Sequence, residues 1–292
     1  MRLPQVLAVS FLLSISPLAR AATLRVSPQG AAPGDVVTLS VYPAAGESIV
    51  GIGMSAWDTP EVKFSMKPDG TARAFAGFPF DRHGGKHILR ARVRVQKNGV
   101  QSEQVLATTL DARERVYPTQ RFSMNLGTAS TMSRKDGLHA EKLLVQSKMK
   151  NSSPTPLWSG SWIIPCVGQQ SSSYGRKRYI NGKWWGQHNG ADIKAPTGRT
   201  VVATNTGRVV LSRYLPLLRG NCIVIDHGCN IFSVYMHLCR RDVSEGQSIQ
   251  KGQRIGAVGA TGFVTGAHLH WEMRVGWEPV DPFLIAKRGI QF

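Results

Sequence analysis

Short β-type segments separated by turn residues constrain the fold of this chain more than any other feature. The clearest segment covers residues 87–95. Its apolar residues alternate with arginines, with Leu89, Ala91, Val93 and Val95 on one side and Arg90, Arg92 and Arg94 on the other. Such period-two alternation predicts a strand with one face in a core and one in solvent. Asn98-Gly99 follows and is typical of a tight hairpin turn.

Similar segments divide the chain into regions. Between residues 22 and 111, short strands at regular spacing predict an immunoglobulin-like β-sandwich. Residues 112–156 are predicted to be a connector, in which residues 138–149 contain helix formers and predict one short helix. Residues 157–292 alternate short β-type runs with glycine turns, and helical periodicity is nearly absent. We therefore predict a mainly β protein with an antiparallel sheet in its C-terminal half.

The first 21 residues have the pattern of a secretory signal peptide. Arg2 precedes a short apolar run, residues 6–13, and Ala19-Arg20-Ala21 has small residues at the positions typical of a cleavage site. The apolar run is too short to span a bilayer. We expect cleavage after Ala21. The mature chain should then be exported to the periplasm or cell envelope, or secreted, without an integral membrane segment.

The chain is strongly basic, with 36 Lys and Arg residues, 18 Asp and Glu residues and a formal net charge of +18. Removal of Arg2 and Arg20 with the leader lowers this charge to +16. Such a charge favours an anionic partner, which for an exported protein is the cell wall or a membrane surface. Solubility alone is the alternative explanation. No helix-turn-helix, zinc-finger or RNA-binding motif is present, so we expect no nucleic-acid partner.

All four cysteines, Cys166, Cys222, Cys229 and Cys239, lie in the C-terminal half. In an exported protein an even number indicates disulfides, and four cysteines allow three pairings. The spacings fit no zinc-ribbon pattern. Disulfides and buried free thiols are both compatible with the sequence.

Four histidines and one aspartate in the C-terminal half have the types and spacings of a metal site. His188 and Asp192 are four residues apart, which places both on one face of either a helix or an extended segment. His268 and His270 are two apart in a segment of fair β-propensity, so both imidazoles point the same way. A catalytic zinc keeps three His or carboxylate ligands and one open position. Three of these groups can ligate, and two histidines, one of them His237, remain for chemistry.

An ordered series of motifs over residues 157–284 resembles the lysostaphin-type (LytM-type) zinc metallopeptidases, which cut peptidoglycan cross-links. Order and spacing agree along the series, which makes it much more specific than a lone HxxxD. The matching stretches include HNGAD at 188–192, APTG at 195–198, GN at 220–221, IDHG at 225–228, YMHL at 235–238, KGQRIG at 251–256, GATG at 259–262, TGAHLHWE at 265–272 and VDP at 280–282.

The resemblance implies specific roles for five residues. In that family the first His, the Asp and the last His of HxH hold the zinc, which are His188, Asp192 and His270 here, with one zinc per chain. The other two, His268 and His237, serve catalysis. We expect His268 to take the proton of the attacking water and His237 to stabilise the oxyanion as a hydrogen-bond donor, although the two roles can be exchanged or shared. The predicted function is a zinc endopeptidase that cleaves peptide stems or cross-bridges of peptidoglycan.

Three other functions are compatible with such a domain. The first is a non-catalytic or latent peptidoglycan-binding regulator of other wall hydrolases. The second is a zinc peptidase with a protein substrate, and the third is a purely structural zinc site. All five family positions are intact, which disfavours a regulator that has lost its ligands. The two spare histidines disfavour a structural site.

Two other segments are predicted to lie near the site, and three further histidines could be mistaken for part of it. Residues 212–219 and Trp184-Trp185 are candidate walls of a substrate groove. His83 and His87 are four apart but lack a carboxylate or cysteine pattern, so we predict surface residues. His227 is predicted to be a turn residue and not a ligand.

Overall fold

The computed structural model describes residues 21–57, 61–123, 135–290 and 292. Over these residues the protein is mainly β, as predicted, with two helices. The predicted signal peptide lies outside the described residues except for Ala21. Within the described part of the chain, no helix is long and apolar enough to cross a membrane.

Residues 23–112 form two β-sheets packed face to face. The strands are β1 (Thr23–Ser27), β2 (Val36–Tyr42), β3 (Ser48–Met54), β4 (Ser65–Met66), β5 (Ala72–Gly77), β6 (Gly85–Lys97) and β7 (Val100–Ala112). One sheet has the order β1-β2-β5-β4 and the other β3-β6-β7. Lettered along the chain, these are the ABED and CFG sheets of the immunoglobulin constant-type sandwich. This is the arrangement that the strand spacing predicts.

Strand β6 follows the alternation seen in the sequence. Leu89, Ala91, Val93 and Val95 are buried, and the three arginines between them are exposed. Leu89 and Val93 share a core cluster with Leu39 of the opposite sheet. Lys97 pairs with Val100, so Asn98 and Gly99 form a two-residue turn with φ values of 50° and 79°. Positive φ at both turn residues is what a type I′ hairpin requires, and the predicted hairpin is confirmed.

Two elements of the predicted connector pair with or pack against strands of the C-terminal half. Strand β8 (Thr119–Phe122) pairs in parallel with β10 (Lys177–Ile180). Helix α1 (Lys135–Lys148) buries Val145 in a cluster that contains Leu211 and Phe232. The helix lies close to the predicted residues 138–149 but begins three residues earlier. Its anchoring on another element, and not its own weak periodicity, explains why it forms.

The remaining strands form one large sheet and a small one. They are β9 (Gln169–Ser172), β11 (Lys183–Gln187), β12 (Ala191–Lys194), β13 (Thr200–Val202), β14 (Gly207–Leu215), β15 (Gly220–Asp226), β16 (Ile231–Arg241), β17 (Ser248–Ile249), β18 (Arg254–Val258), β19 (His268–Val275) and β20 (Glu278–Val280). The small sheet has the order β11-β10-β8. The large one runs β17-β14-β15-β16-β19-β12-β9, with β13, β18 and β20 paired beside this path. Helix α2 (Pro282–Arg288) follows.

The two faces of the large sheet have different roles. One face packs Ile223, Tyr235 and Trp271 into the main core of this half. On the other face, His270 and Glu272 of β19 lie opposite Met236 and Val234 of β16, respectively. Met236 and Val234 belong to the cluster that α1 covers. The polar residues of β19 therefore share a face with helix α1.

The sandwich and the C-terminal half are packed against one another. Phe75 of β5 belongs to the core cluster of the C-terminal half, with its ring centroid 6.0 Å from that of Trp158 and 6.2 Å from that of Phe292. Asp35, which is buried, pairs with Arg115 Nη2 at 2.9 Å. The sandwich thus contributes directly to the packing of the half that follows it.

All four cysteines are free thiols. Cys166, Cys222 and Cys229 are buried, whereas Cys239 is exposed. Of the two possibilities that the sequence allowed, buried free thiols describe three of the four positions. Burial raises the pKa of the Cys222 thiol to about 12 and that of Cys229 to about 11, so neither is a reactive thiolate at neutral pH.

Candidate metal centre

The pairing of β12 with β19 brings two distant parts of the sequence together. Asp192 lies opposite His270, and Lys194 lies opposite His268. His188 precedes β12 in a non-helical segment, so the helical alternative for the His188–Asp192 spacing is not the one observed. A Cβ atom at Gly190, between the two residues, would overlap the backbone of Trp271. The glycine therefore permits the close approach of the two segments that the site needs.

Three buried side chains converge on one point. His188 Nε2 lies 3.0 Å from Asp192 Oδ1 and 3.0 Å from His270 Nδ1. His270 Nδ1 lies 2.8 Å from Asp192 Oδ1. Within the described residues, these three form a group of potential metal ligands whose donor atoms all lie within 4.8 Å of one another. The structure thus brings together the three residues to which the resemblance assigns the zinc.

Hydrogen bonds on the far side of each imidazole direct a lone pair towards that point. His188 Nδ1–H donates to the carbonyl oxygen of Ser173 at 2.9 Å, which leaves Nε2 unprotonated. In the neutral form of His270, Nε2–H donates to Glu272 Oε1 at 3.0 Å and Nδ1 carries the lone pair. Metal-binding histidines commonly donate their other ring N–H to a carboxylate or backbone carbonyl in this way. Both imidazoles are therefore oriented as ligands.

This donor set fits zinc. Two neutral imidazoles and one carboxylate match the three-ligand composition of catalytic zinc sites. Tetrahedral bonds of about 2.0–2.2 Å separate neighbouring ligand atoms by about 3.3–3.6 Å. The observed separations of 2.8–3.0 Å are slightly shorter, so small side-chain shifts suffice to admit the ion. His188, Asp192 and His270 could therefore hold one zinc ion.

Asp192 is held as a carboxylate by its surroundings. Burial alone would raise its pKa, but His188 and His270 together keep the pKa well below the usual range. Its second oxygen, Oδ2, accepts a hydrogen bond from Arg178 Nη2 at 2.7 Å. Because Arg178 occupies Oδ2, the carboxylate presents Oδ1 to the two histidines. Arg178 thus orients the carboxylate from outside the ligand cluster.

A second pair of histidines lies beside the ligand cluster. The ring centroids of His237 and His268 are 4.9 Å apart, and that of His237 is 5.9 Å from the ring centroid of His270. His237 Nδ1–H donates to Thr261 O at 2.9 Å, and His268 Nδ1–H donates to Gly266 O at 2.8 Å. Both residues therefore keep an unprotonated Nε2 when neutral. Desolvation lowers the pKa of both and brings that of His237 to about 3.

These histidines line a cleft of about 510 Å³. The cleft is lined by Leu218 and Arg219 and by Trp185, whose ring stacks on Phe263 with centroids 5.5 Å apart. Residues 212–219 were predicted to be a loop that forms a groove wall. Strand β14 instead continues to Leu215 through pairing with β15, so only the following residues form that wall. Trp185 lines the cleft, whereas Trp184 is exposed and packs on Tyr179.

Three residues around the site were not found by sequence reasoning. Glu272 and Arg274 continue the two-residue spacing of His268 and His270 along β19, and Arg274 Nε donates to Glu272 Oε2 at 2.6 Å. This spacing was visible in the sequence and could have identified them. Arg178, in contrast, reaches Asp192 from a different sheet. No sequence spacing relates these two residues.

The remaining histidines lie outside the cluster, as predicted. His83 has a highly exposed side chain, and His87 packs on Phe78 with ring centroids 5.1 Å apart. His227 follows β15 but is fully buried, with Nδ1 2.8 Å from Thr206 O and Nε2 2.7 Å from Ser233 Oγ. The prediction of a simple turn residue missed this burial, which arises because Trp162 packs edge-on against its ring.

Comparison with known proteins finds similarity to one peptidase family in the part of the chain that contains the site. The family model described as peptidase family M23 matches residues 186–282. The peptidoglycan DD-endopeptidase ShyA of Vibrio cholerae is 45% identical over 94 residues, which are 32% of this chain and 22% of that protein. The DD-carboxypeptidase/endopeptidase Mpg of Neisseria meningitidis is 35% identical over 116 residues, 40% of this chain and 26% of that protein. This chain thus spans about a quarter of the length of these curated relatives.

Similarity in fold extends further along the chain. A crystal structure from Pseudomonas aeruginosa that is assigned to peptidase M23 covers 89% of this chain and 96% of its own, with a TM-score of 0.58 and 22% sequence identity. At that identity the likeness concerns the fold alone. Because it covers 89% of this chain, it includes residues of the sandwich as well as the C-terminal half.

Proposed function

We propose that the protein is a zinc-dependent endopeptidase that cleaves peptide cross-links of bacterial peptidoglycan, because residues 186–282 match the model of peptidase family M23. One observation carries the proposal. The three buried donor atoms of His188, Asp192 and His270 meet in a cleft that also contains two histidines with a free ring nitrogen. A purely structural metal site does not require such a pair of histidines.

In this proposal His188 Nε2, Asp192 Oδ1 and His270 Nδ1 hold one zinc ion. When bound, zinc lowers the pKa of a water molecule towards about 7 and polarises a scissile carbonyl. Ser173 and Glu272 keep the two imidazoles in the required tautomers, and Arg178 keeps Asp192 oriented. Each of these contacts is made by the atom of the side chain that does not bind the ion, so the ligand atoms stay available to it.

His268 is the better placed of the two free histidines to accept the proton of the attacking water. Its Nε2 lies 3.7 Å from Asp192 Oδ1, whose negative charge stabilises an imidazolium. Its side chain is 19% exposed, so water can reach it. Imidazole titrates in the range that general base catalysis near neutral pH requires. We therefore assign the base role to His268.

His237 has a different environment. Its Nδ1–H is committed to Thr261 O, and burial together with the neighbouring histidines disfavours a second proton. Neutral His237 therefore offers Nε2 as an acceptor. The donor role that we predicted for it, at the developing oxyanion, depends on a proton gained during the reaction. In the resting site His237 instead orients a water molecule or a substrate N–H.

The substrate assignment rests on the named activities of the relatives and on the chemistry of the cleft. ShyA and Mpg are both named as DD-endopeptidases or carboxypeptidases, and ShyA is named for peptidoglycan. The cleft offers the stacked rings of Trp185 and Phe263 and the exposed cation Lys194. Aromatic and basic groups suit a peptide that carries carboxylates. A wall substrate also agrees with the signal-peptide pattern and the charge of +16, which favour the cell envelope as the location of the protein.

The test is digestion of purified peptidoglycan by the mature chain, with released muropeptides identified by mass spectrometry. We expect loss of cross-linked dimers, with the mass of the products identifying the cleaved bond. A chelator should abolish the loss, added zinc should restore it, and His188→Ala should remove both activity and bound zinc. His83→Ala, which changes an exposed histidine of the sandwich, is the matched control and should behave as the wild type.

Two outcomes would contradict the proposal. Digestion that persists in His188→Ala or in excess chelator would exclude the assigned metal site. A zinc-loaded protein that binds peptidoglycan but releases no product would favour the regulatory alternative, which the intact set of five residues does not support.

A further inference from the structure

Glu141 is a buried carboxylate in helix α1, more than forty residues before the segment that matches the family model. Its Oε1 accepts a hydrogen bond from Leu217 N at 2.6 Å, and its Oε2 accepts one from Leu218 N at 3.2 Å. Oε2 also lies 3.5 Å from Arg219 Nη1, and both partners of this ion pair are more than 90% buried. One side chain thus holds three successive residues of the loop between β14 and β15.

This loop in turn holds His237. The carbonyl oxygen of Arg219 accepts a hydrogen bond from His237 N at 2.9 Å. The carbonyl oxygen of Leu218 accepts one from Phe263 N at 3.0 Å, in the segment whose Thr261 carbonyl receives His237 Nδ1–H. Both the backbone and the ring of His237 therefore depend on the position of residues 218–219.

His237 needs such support because its backbone is in the left-handed region. Its φ is 65°, which a residue with a Cβ adopts only when its surroundings compel it. The loop and the segment after Thr261 also approach too closely to tolerate a side chain. A Cβ at Gly220 would overlap Thr261, and one at Gly262 would overlap Gly220. A shift of the loop would therefore be transmitted to His237 and not absorbed in a gap.

We propose that Glu141 is a positioning residue for catalysis, through which helix α1 fixes the loop 217–219 and thereby the backbone and ring of His237. The connector helix is then a working part of the active site and not only a link between the two halves. The inference rests on the proposed function, since it assumes that His237 takes part in the reaction. The structural part of the inference, that Glu141 sets the position of His237, does not depend on that function.

The consequence of removing the carboxylate follows from its contacts. Without it, two backbone N–H groups lose their acceptor and the buried Arg219 loses its counter-ion. The loop then has to move towards water or other acceptors. Because a displacement of about 1 Å in an active site can cost about 100-fold in rate, we expect Glu141→Ala to lower kcat by about 10-fold to 100-fold. Glu141→Gln keeps one acceptor oxygen, so its kcat should lie between that of Glu141→Ala and that of the wild type.

The experiment compares Glu141→Gln and Glu141→Ala in the full mature chain with Lys142→Ala, the exposed neighbour on the same helix. Five quantities are measured: kcat and KM on cross-linked muropeptide dimers, bound zinc, the melting temperature, and the ring ¹H and ¹⁵N resonances of His237. The resonances are assigned through their loss in His237→Ala. We expect kcat to fall with zinc content retained, the His237 resonances to shift in both Glu141 variants, and Lys142→Ala to match the wild type.

Unchanged His237 resonances in a folded Glu141→Gln protein would overturn the inference. A kcat for the Glu141 variants equal to that of Lys142→Ala would overturn it as well. If the wild type itself releases no product, the proposed function fails, yet the resonances still test whether Glu141 positions His237. If Glu141→Ala does not fold, Glu141→Gln and its resonances decide the question alone.

Discussion

Strand β6 of the sandwich and strand β19 of the C-terminal half have the same kind of sequence and opposite surroundings. Both alternate polar and apolar residues with period two. In β6 the polar face is open to solvent, so Arg90, Arg92 and Arg94 are exposed. In β19 the polar face carries His270, Glu272 and Arg274, and all three are buried. Alternation therefore determines which residues share a face, but not whether that face meets water.

The difference arises from what covers each sheet. The sheet of β6 packs one face against its partner sheet and leaves the other uncovered. The polar face of β19 lies on the side of the large sheet on which helix α1 packs. Buried charges must then be paired, and Glu272 accordingly binds both His270 and Arg274. Covered polar faces are where this protein can hold fixed charges and oriented imidazoles.

Histidines in the two regions should differ most in their effect on activity. We expect His268→Ala to lower kcat/KM by about 10²–10⁴, the usual contribution of a general base, with bound zinc retained. His83→Ala in the sandwich should leave kcat/KM unchanged because its side chain is exposed and far from the cleft. Steady-state kinetics on muropeptide dimers and metal analysis measure both. Equal values of kcat/KM for the two variants would show that His268 takes no part in the reaction.

Ion pairs in the two regions should differ in stability. Arg274→Met leaves the buried carboxylate of Glu272 without its guanidinium partner, and we expect a loss of about 3–5 kcal/mol in the free energy of unfolding. Arg92→Ala breaks the pair between Arg92 and Glu103, in which the side chains are 75% and 48% exposed, and should cost less than about 1 kcal/mol. Urea unfolding of both variants measures the contrast. Similar losses would mean that burial does not distinguish the two strands.

The smallest expected effect concerns the pH dependence of stability. Burial lowers the pKa of His227 to about 4, against about 6.5 in an unfolded chain. Between pH 6.5 and 4 the unfolded state therefore binds a proton that the folded state does not. His227 should contribute a loss of up to about 3 kcal/mol in the free energy of unfolding as the pH falls through this range, and none above it.

Comparison of wild type with His227→Gln isolates this contribution from those of other groups. The free energy of unfolding is measured for both proteins at pH 7.5, 6, 5 and 4.5. It should fall further for the wild type than for His227→Gln as the pH falls, because glutamine does not titrate. Parallel curves would show that His227 accepts a proton in the folded state without penalty.

The sequence alone was sufficient for the features that depend on local pattern. The period-two segments and the Asn98-Gly99 turn predicted β6 and its hairpin. Strand spacing predicted the sandwich, and the two-residue spacing of His268 and His270 placed both on one face. The ordered motifs pointed to the family whose model matches residues 186–282. The assignment of roles to the five site residues is still a prediction, although the structure brings them into one cleft.

Tertiary structure alone decided what surrounds these residues. The contact of Arg178 with Asp192 joins two different sheets, and that of Glu141 with residues 217–219 spans 76 positions or more. Neither follows a helical or strand period, so no local pattern can reveal them. The burial of His227 and of the polar face of β19 depends likewise on elements distant in the chain. Period and propensity are properties of neighbours in sequence, whereas solvent exclusion and the pairing of buried charges are properties of neighbours in space.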